Sequence, residues 1–134
     1  MRYYVTADIH GFYDEFLMAL THAGFFDDST PHQLIICGDL FDRGSQAIEL
    51  QNFILDLMSR EEVILIQGNH EDLMLQLLNH WHTSFGHANY EGNGGEFDHN
   101  PDFSPYIAKG IIALDACTVR SKTVNCIVID DELV

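Results

Sequence analysis

The sequence predicts an α/β fold in which a parallel βαβαβ core is followed by a C-terminal antiparallel hairpin. Three observations predict it. Apolar, β-rich runs recur three times at roughly 30-residue spacing. Each run ends at a polar turn that opens with Asp or Gly. Amphipathic stretches separate the runs, as parallel neighbours require a crossover and cannot be joined by a tight turn.

The elements follow in order. Tyr3–Ala7 is the first strand and ends at Asp8. Phe12, Phe16, Leu20 and Ala23 share one helical face, and Gly24 supplies the stop. Leu34–Cys37 is the second strand and ends at Gly38-Asp39. Ala47, Leu50, Ile54, Leu57 and Met58 form the second apolar stripe. Val63–Ile66 is the third strand and ends at Gly68-Asn69, and Leu73, Met74, Leu77 and Leu78 start a third helix. The strand runs lack alternation, which predicts that both faces of the sheet are covered. Residues 79–105 are polar, rich in His, Gly and Asn, and aperiodic. They read as a long loop of the functional or mobile kind. Ile111–Leu114 and Val124–Ile129 are two further strands, and the polar Arg120-Ser121-Lys122 between them predicts that they form the hairpin. The whole chain, 1–134, reads as one domain: a motif core over 1–78, the loop over 79–105 and the hairpin region over 106–134.

Composition excludes several function classes. The 134 residues are 46% hydrophobic, too apolar for wholesale disorder. Asp and Glu outnumber Lys and Arg 21 to 6, giving a formal charge of -15. Such a surface repels phosphate backbones and anionic lipid, so neither nucleic acid nor membrane is an expected partner. A small phosphorylated substrate remains compatible, because bound divalent cations invert the local field. No apolar run approaches the roughly 20 residues of a membrane span, and Met1-Arg2-Tyr3-Tyr4 opens into a strand pattern, not a signal peptide. Cys37, Cys117 and Cys126 lie in apolar runs and read as reduced core residues of a cytoplasmic protein. His22, His32 and His99 read as surface residues.

The chemistry gathers at the three strand ends. They carry Asp8-Ile9-His10-Gly11, then Gly38-Asp39-Leu40-Phe41-Asp42-Arg43-Gly44, then Gly68-Asn69-His70-Glu71. In an open parallel sheet such ends converge on one crevice. If strand geometry continues past Ala7, Asp8 and His10 point the same way. Carboxylate, imidazole and amide oxygen together suit a pair of divalent cations, which activate a water and clamp a phosphoryl group for in-line attack. Any one of these residues alone has an ordinary reading as a cap, turn or loop residue. Three ends carrying Asp-x-His, Gly-Asp and Gly-Asn-His in that order do not.

On these motifs the sequence resembles the calcineurin-like metallophosphoesterases, and within them the serine/threonine phosphoprotein phosphatase branch. The match covers residues 1 to about 78 without a departure in the three motifs. Asn79-His80-Trp81-His82 is similar to the family's closing Gly-His-x-His, with Asn in place of Gly. Between Glu71 and His80 the chain is shorter than the family pattern, so the resemblance is to an internally shortened member: a reduced β-sandwich flanked by helices, lacking one second-metal ligand and its strand. The resemblance implies that Asp8, His10 and His82 hold a first metal, that Asp39 bridges, and that Asn69 and His80 hold a second. It implies His70 as general acid, Asp42 as the residue orienting it, and Arg43 with Asn69 as phosphate-binding groups. The implied cofactors are two divalent ions, manganese first, with iron, zinc, nickel or magnesium as alternatives. The implied function is hydrolysis of phosphomonoesters, phosphoserine and phosphothreonine in proteins included. Two alternatives stand beside it: a dinucleoside polyphosphate hydrolase, and a catalytically impaired remnant that binds metal or a phosphorylated ligand. A homodimer in which each copy completes the other's sandwich is a further expectation.

Overall fold

The computed structural model describes residues 1–79, 104–108, 111–114 and 117–131. Strand β1 (Arg2–Thr6) leads through helix α1 (Tyr13–Ala23) and a short 3-10 turn (Phe25–Asp27) to β2 (His32–Cys37). Helix α2 (Ala47–Ser59) then leads to β3 (Val63–Ile66) and α3 (Asn69–Asn79). Strands β4 (Tyr106–Ala108) and β5 (Ile111–Ala113), the one-turn helix α4 (Thr118–Ser121) and β6 (Cys126–Asp130) complete the described elements. The main sheet has the order β3-β2-β1-β6, parallel across the first three and antiparallel at β6. The α/β class and the parallel core are as the sequence predicts. A C-terminal antiparallel hairpin is also present, but its strands are β4 and β5. The predicted pairing of 111–114 with 124–129 does not form. Residues 118–121 coil into α4, and β6 lies along β1 instead, pairing Thr6 with Cys126 and Arg2 with Asp130.

One face of the sheet carries the core. Tyr4 and Thr6 alternate inward on β1, and their register partners Leu34 and Ile36 do so on β2. Phe16 and Leu20 of α1 and Leu50, Ile54 and Leu57 of α2 close over them. Helix α1 stops where predicted, with Gly24 at φ 87° returning N–H bonds to Leu20 and Thr21. Met58, read as part of the α2 stripe, is 49% exposed because the stripe's buried width ends at Leu57.

The expectation that both faces are covered fails at the edge strand. Ile64, Leu65 and Ile66 on the edge strand β3 are 42%, 39% and 51% exposed. Tyr3 and Val5 of β1 and Ile35 of β2, on the face opposite the core, are half-buried, so the exposed apolar surface is that of the edge strand. The cysteines are free, as expected, yet none is core: Cys37 is exposed at its strand end, and Cys117 and Cys126 are half-buried. Burial still pushes the Cys126 thiol up to about 11. His32 is also not a plain surface residue, since its ring meets Tyr4 and Phe25 edge-on. No described helix is long and apolar enough to cross a membrane.

The far end of the sheet is closed by charge. Asp28 accepts hydrogen bonds from Tyr4 Oη at 2.7 Å, the Thr30 N–H at 2.9 Å and Arg2 at 2.9 Å. Arg2 also reaches Asp130 on β6 at 3.2 Å. The Tyr4 hydroxyl first, then the Thr30 amide, hold the Asp28 carboxyl well below the carboxylate range. A depressed folded value means that Asp28 contributes stability above its unfolded value of about 4 and loses it as pH falls toward the folded value. Denaturant melts at pH 7 and pH 3 should therefore show a smaller acid loss for Asp28→Asn than for the parent chain. Equal losses would remove Asp28 from the account.

Candidate functional site

The first three strands end at the same edge, and their turns are fused. Asp8 N–H donates to Gly38 O at 3.3 Å, His10 N–H to Asp39 O at 2.8 Å and Gly11 N–H to Leu40 O at 2.6 Å. Glycines allow this contact. A Cβ at Gly44 would lie 2.4 Å from the Gly11 carbonyl, and one at Gly38 would lie 2.4 Å from the Gly68 Cα. The first turn thus meets the second at Gly11 and Gly44, and the second meets the third at Gly38 and Gly68.

The predicted continuation of strand geometry through Asp8 and His10 does not occur. β1 ends at Thr6, and Asp8 and His10 take left-handed φ values of 54° and 51°. Asp39 and Arg43 do the same at 57° and 75°. Turn geometry, not strand alternation, brings Asp8 and His10 together: His10 Nε2 lies 3.9 Å from Asp8 Oδ1. Backbone strain at these positions is of the kind found where a site is over-determined by its surroundings.

His10, Asp39 and His70 are buried, and one ligand atom from each falls within 4.8 Å of the others. Asp42 joins them from below. Its Oδ1 is 2.6 Å from His10 Nδ1, and its Oδ2 hydrogen-bonds His70 Nδ1. Burial pushes the Asp42 carboxyl up, but the hydrogen bonds from His10 and His70, with their charge, outweigh it and hold the group below its ordinary value. The Arg43 Nε is 3.9 Å from Asp42 Oδ2 and its side chain is partly exposed beside the cluster. Asn69 starts α3 and is exposed next to His70. Asp8, His10, Asp39, Asp42, Arg43, Asn69 and His70 are therefore all described at this sheet edge. His80 and His82, and the 79–105 loop beyond Asn79 as far as 103, lie outside the described residues. His10 and Asp39, with Asp8 and Asn69 at the same sheet edge, offer imidazole, carboxylate and amide donors that suit a borderline-to-hard divalent cation, so the donor set fits a metal, with His70 standing beside it.

Two contributors carry no role in the sequence reading. Glu71 accepts the N–H groups of Asp39 at 2.8 Å and Gly68 at 2.9 Å on Oε2, and that of Leu40 at 2.7 Å on Oε1. One carboxylate thus ties the turn of Asp39 to the turn of Asn69 and His70. Its signal was present, as an acid in the first turn of α3. Thr118 of α4, 1% exposed, donates from Oγ1 to Asp8 O at 2.7 Å. A lone Thr in a distant segment gives no sequence signal for that contact. Glu71→Gln offers one acceptor oxygen for three donors and turns an N–H₂ toward at least one of them. We expect a loss of about 2 kcal/mol, seen as a Tm lower by roughly 5–10 °C. A melt coincident with the parent chain would show that the clamp is dispensable.

Residues 1–127 match the calcineurin-like phosphoesterase family. The chain belongs to that family. This calcineurin-like phosphoesterase is similar to the asymmetrical bis(5'-nucleosyl)-tetraphosphatase PrpE of Bacillus velezensis, 34% identical over 76 residues, covering 52% of this chain and 30% of that protein. It is also similar to the symmetrical bis(5'-nucleosyl)-tetraphosphatase of Buchnera aphidicola, 31% identical over 102 residues, covering 76% of this chain and 34% of that protein. Among solved structures, a cold-active protein tyrosine phosphatase aligns at 32% identity and a TM-score of 0.45, covering 57% of this chain and 24% of that one. The chain spans about a third of the length of these two relatives.

Proposed function

We propose that this chain is a metal-dependent phosphoesterase acting on phosphoric anhydrides of the dinucleoside tetraphosphate class. The observation that carries the reading is the convergence of ligand atoms from His10, Asp39 and His70 beside Asp42 and Arg43. The tetraphosphatase names of the relatives favour the anhydride class over the protein phosphatase class expected from the motif pattern. Phosphomonoesters, with phosphoserine and phosphothreonine among them, are the second substrate class.

Asp8, His10, Asp39 and Asn69 would hold the divalent ions, with His80 and His82 completing the set and manganese the first ion to try. When bound, the ions supply Lewis acidity toward water and toward the phosphoryl oxygens. The protein's own groups do the rest. Arg43 presents its fork of donors to the phosphate. His70, once protonated on Nε2 as well as on Nδ1, returns the Nε2 proton to the departing oxygen, while Asp42 fixes its ring through Nδ1–H. The three free cysteines favour a cytoplasmic setting.

The test is a substrate panel with manganese: diadenosine tetraphosphate, p-nitrophenyl phosphate and a phosphoserine peptide. We expect diadenosine tetraphosphate to be turned over with the highest kcat/KM and turnover to vanish with chelator. Two ADP per substrate mark symmetrical cleavage, and ATP with AMP marks the asymmetrical kind. A second reading, a metal-binding remnant without turnover, is favoured by the short stretch between Glu71 and His80. Metal binding with no hydrolysis of any of the three would establish it and overturn the first.

A further inference from the structure

The Asp42 carboxylate has two oxygens and commits both to imidazoles. Oδ1 meets His10 Nδ1 at 2.6 Å, and Oδ2 meets His70 Nδ1. The two rings stand edge to face, with centroids 4.8 Å apart and planes at 82°. Carboxylate and both rings are buried, with side-chain exposures of 9%, 9% and 8%, so water cannot take the place of either partner cheaply.

An ionised carboxylate only accepts hydrogen bonds, so each ring must bring a proton on Nδ1. Both neutral rings then carry their lone pair on Nε2. For His10 that atom faces Asp8, 3.9 Å away. We propose that Asp42 is a shared positioning residue, whose single carboxylate sets the tautomer of His10 for metal binding and, through the same Nδ1–H contact, holds the His70 ring with Nε2 aimed outward for proton exchange. The inference rests on the reading of His10 as a metal ligand. A histidine that ligates through one nitrogen gains basicity and a fixed ring when its other N–H donates to a carboxylate. Here that outer carboxylate is the same group that orients the acid. Metal affinity and leaving-group protonation therefore cannot be altered separately at position 42.

Ala at position 42 exposes the coupling. It removes both acceptor oxygens, so neither ring keeps its Nδ1–H bond. Both rings are then free to take the Nε2–H form or to turn out of line. Isothermal titration of the full chain with Mn²⁺ should show Asp42→Ala binding about 10–100-fold more weakly than the parent. His70→Asn, which removes the other ring and leaves the Asp42–His10 bond, should bind Mn²⁺ within about threefold of the parent. Independently, ¹⁵N long-range NMR of the metal-free parent at pH 8 should report the Nδ1–H tautomer for both rings. That measurement needs no variant to fold and no substrate, so it separates failure of this proposal from failure of the phosphoesterase reading. Parent-like Mn²⁺ affinity in folded Asp42→Ala, an equal loss in His70→Asn, or an Nε2–H tautomer at His10 would each overturn the proposal.

Discussion

Asp39→Asn is expected to leave the fold standing and to lower phosphoester turnover on the order of a thousandfold. Asp39 is 8% exposed, and its Oδ1 accepts the His70 N–H at 2.9 Å. An Asn carbonyl can accept the same bond, so the turn between β3 and α3 keeps its anchor. What disappears is the negative charge at the centre of the converging ligand atoms. A thousandfold corresponds to about 4 kcal/mol of transition-state stabilisation, the scale seen when a preorganised electrostatic group is removed. Steady-state kinetics with manganese and a parallel thermal melt decide the matter. A folded variant within tenfold of the parent's kcat/KM would remove Asp39 from the centre of the chemistry.

Gly38→Ala should have the largest effect on stability. Its φ of 80° already costs an L-residue about 1–2 kcal/mol. The new Cβ would also fall 2.4 Å from the Gly68 Cα and 2.6 Å from the Gly68 N, both backbone atoms. Forcing the second and third turns apart adds on the order of 1–3 kcal/mol. Gly24 is the control: it has a similar φ of 87°, but nothing lies within 4 Å of its Cβ position. Gly24→Ala should lower Tm by roughly 5 °C and Gly38→Ala by roughly 15 °C. Manganese affinity should fall only in the second, because only there do the site turns separate. Equal melts would mean that the turns yield without cost.

The parts of the fold that depend on local pattern were legible. β3 begins and ends where Val63–Ile66 predicts, and Gly24 stops α1. The partner of β6 was not, because a polar stretch such as Arg120-Ser121-Lys122 reads alike whether it makes a hairpin turn or a one-turn helix. Antiparallel pairing across about 125 residues of sequence leaves no local mark. The exposure of β3 was similarly hidden, since it is as apolar as β2 yet lies at the edge. In the site, residue identities came from the motifs, but the Asp42–His10 contact and the Glu71 clamp depend on how two turns meet in space. Thr118 could be found only from coordinates.

The left-handed backbone at Asp8, His10 and Asp39 has a consequence for mutational searching. The side chains that best tolerate such a conformation besides glycine are Asn, Asp and His. These are also side chains that offer oxygen or imidazole nitrogen to a cation. Conformational and chemical demands therefore narrow to almost the same short alphabet. Saturation libraries at these three positions should return few functional alternatives, and an aliphatic substitution there would be penalised twice over.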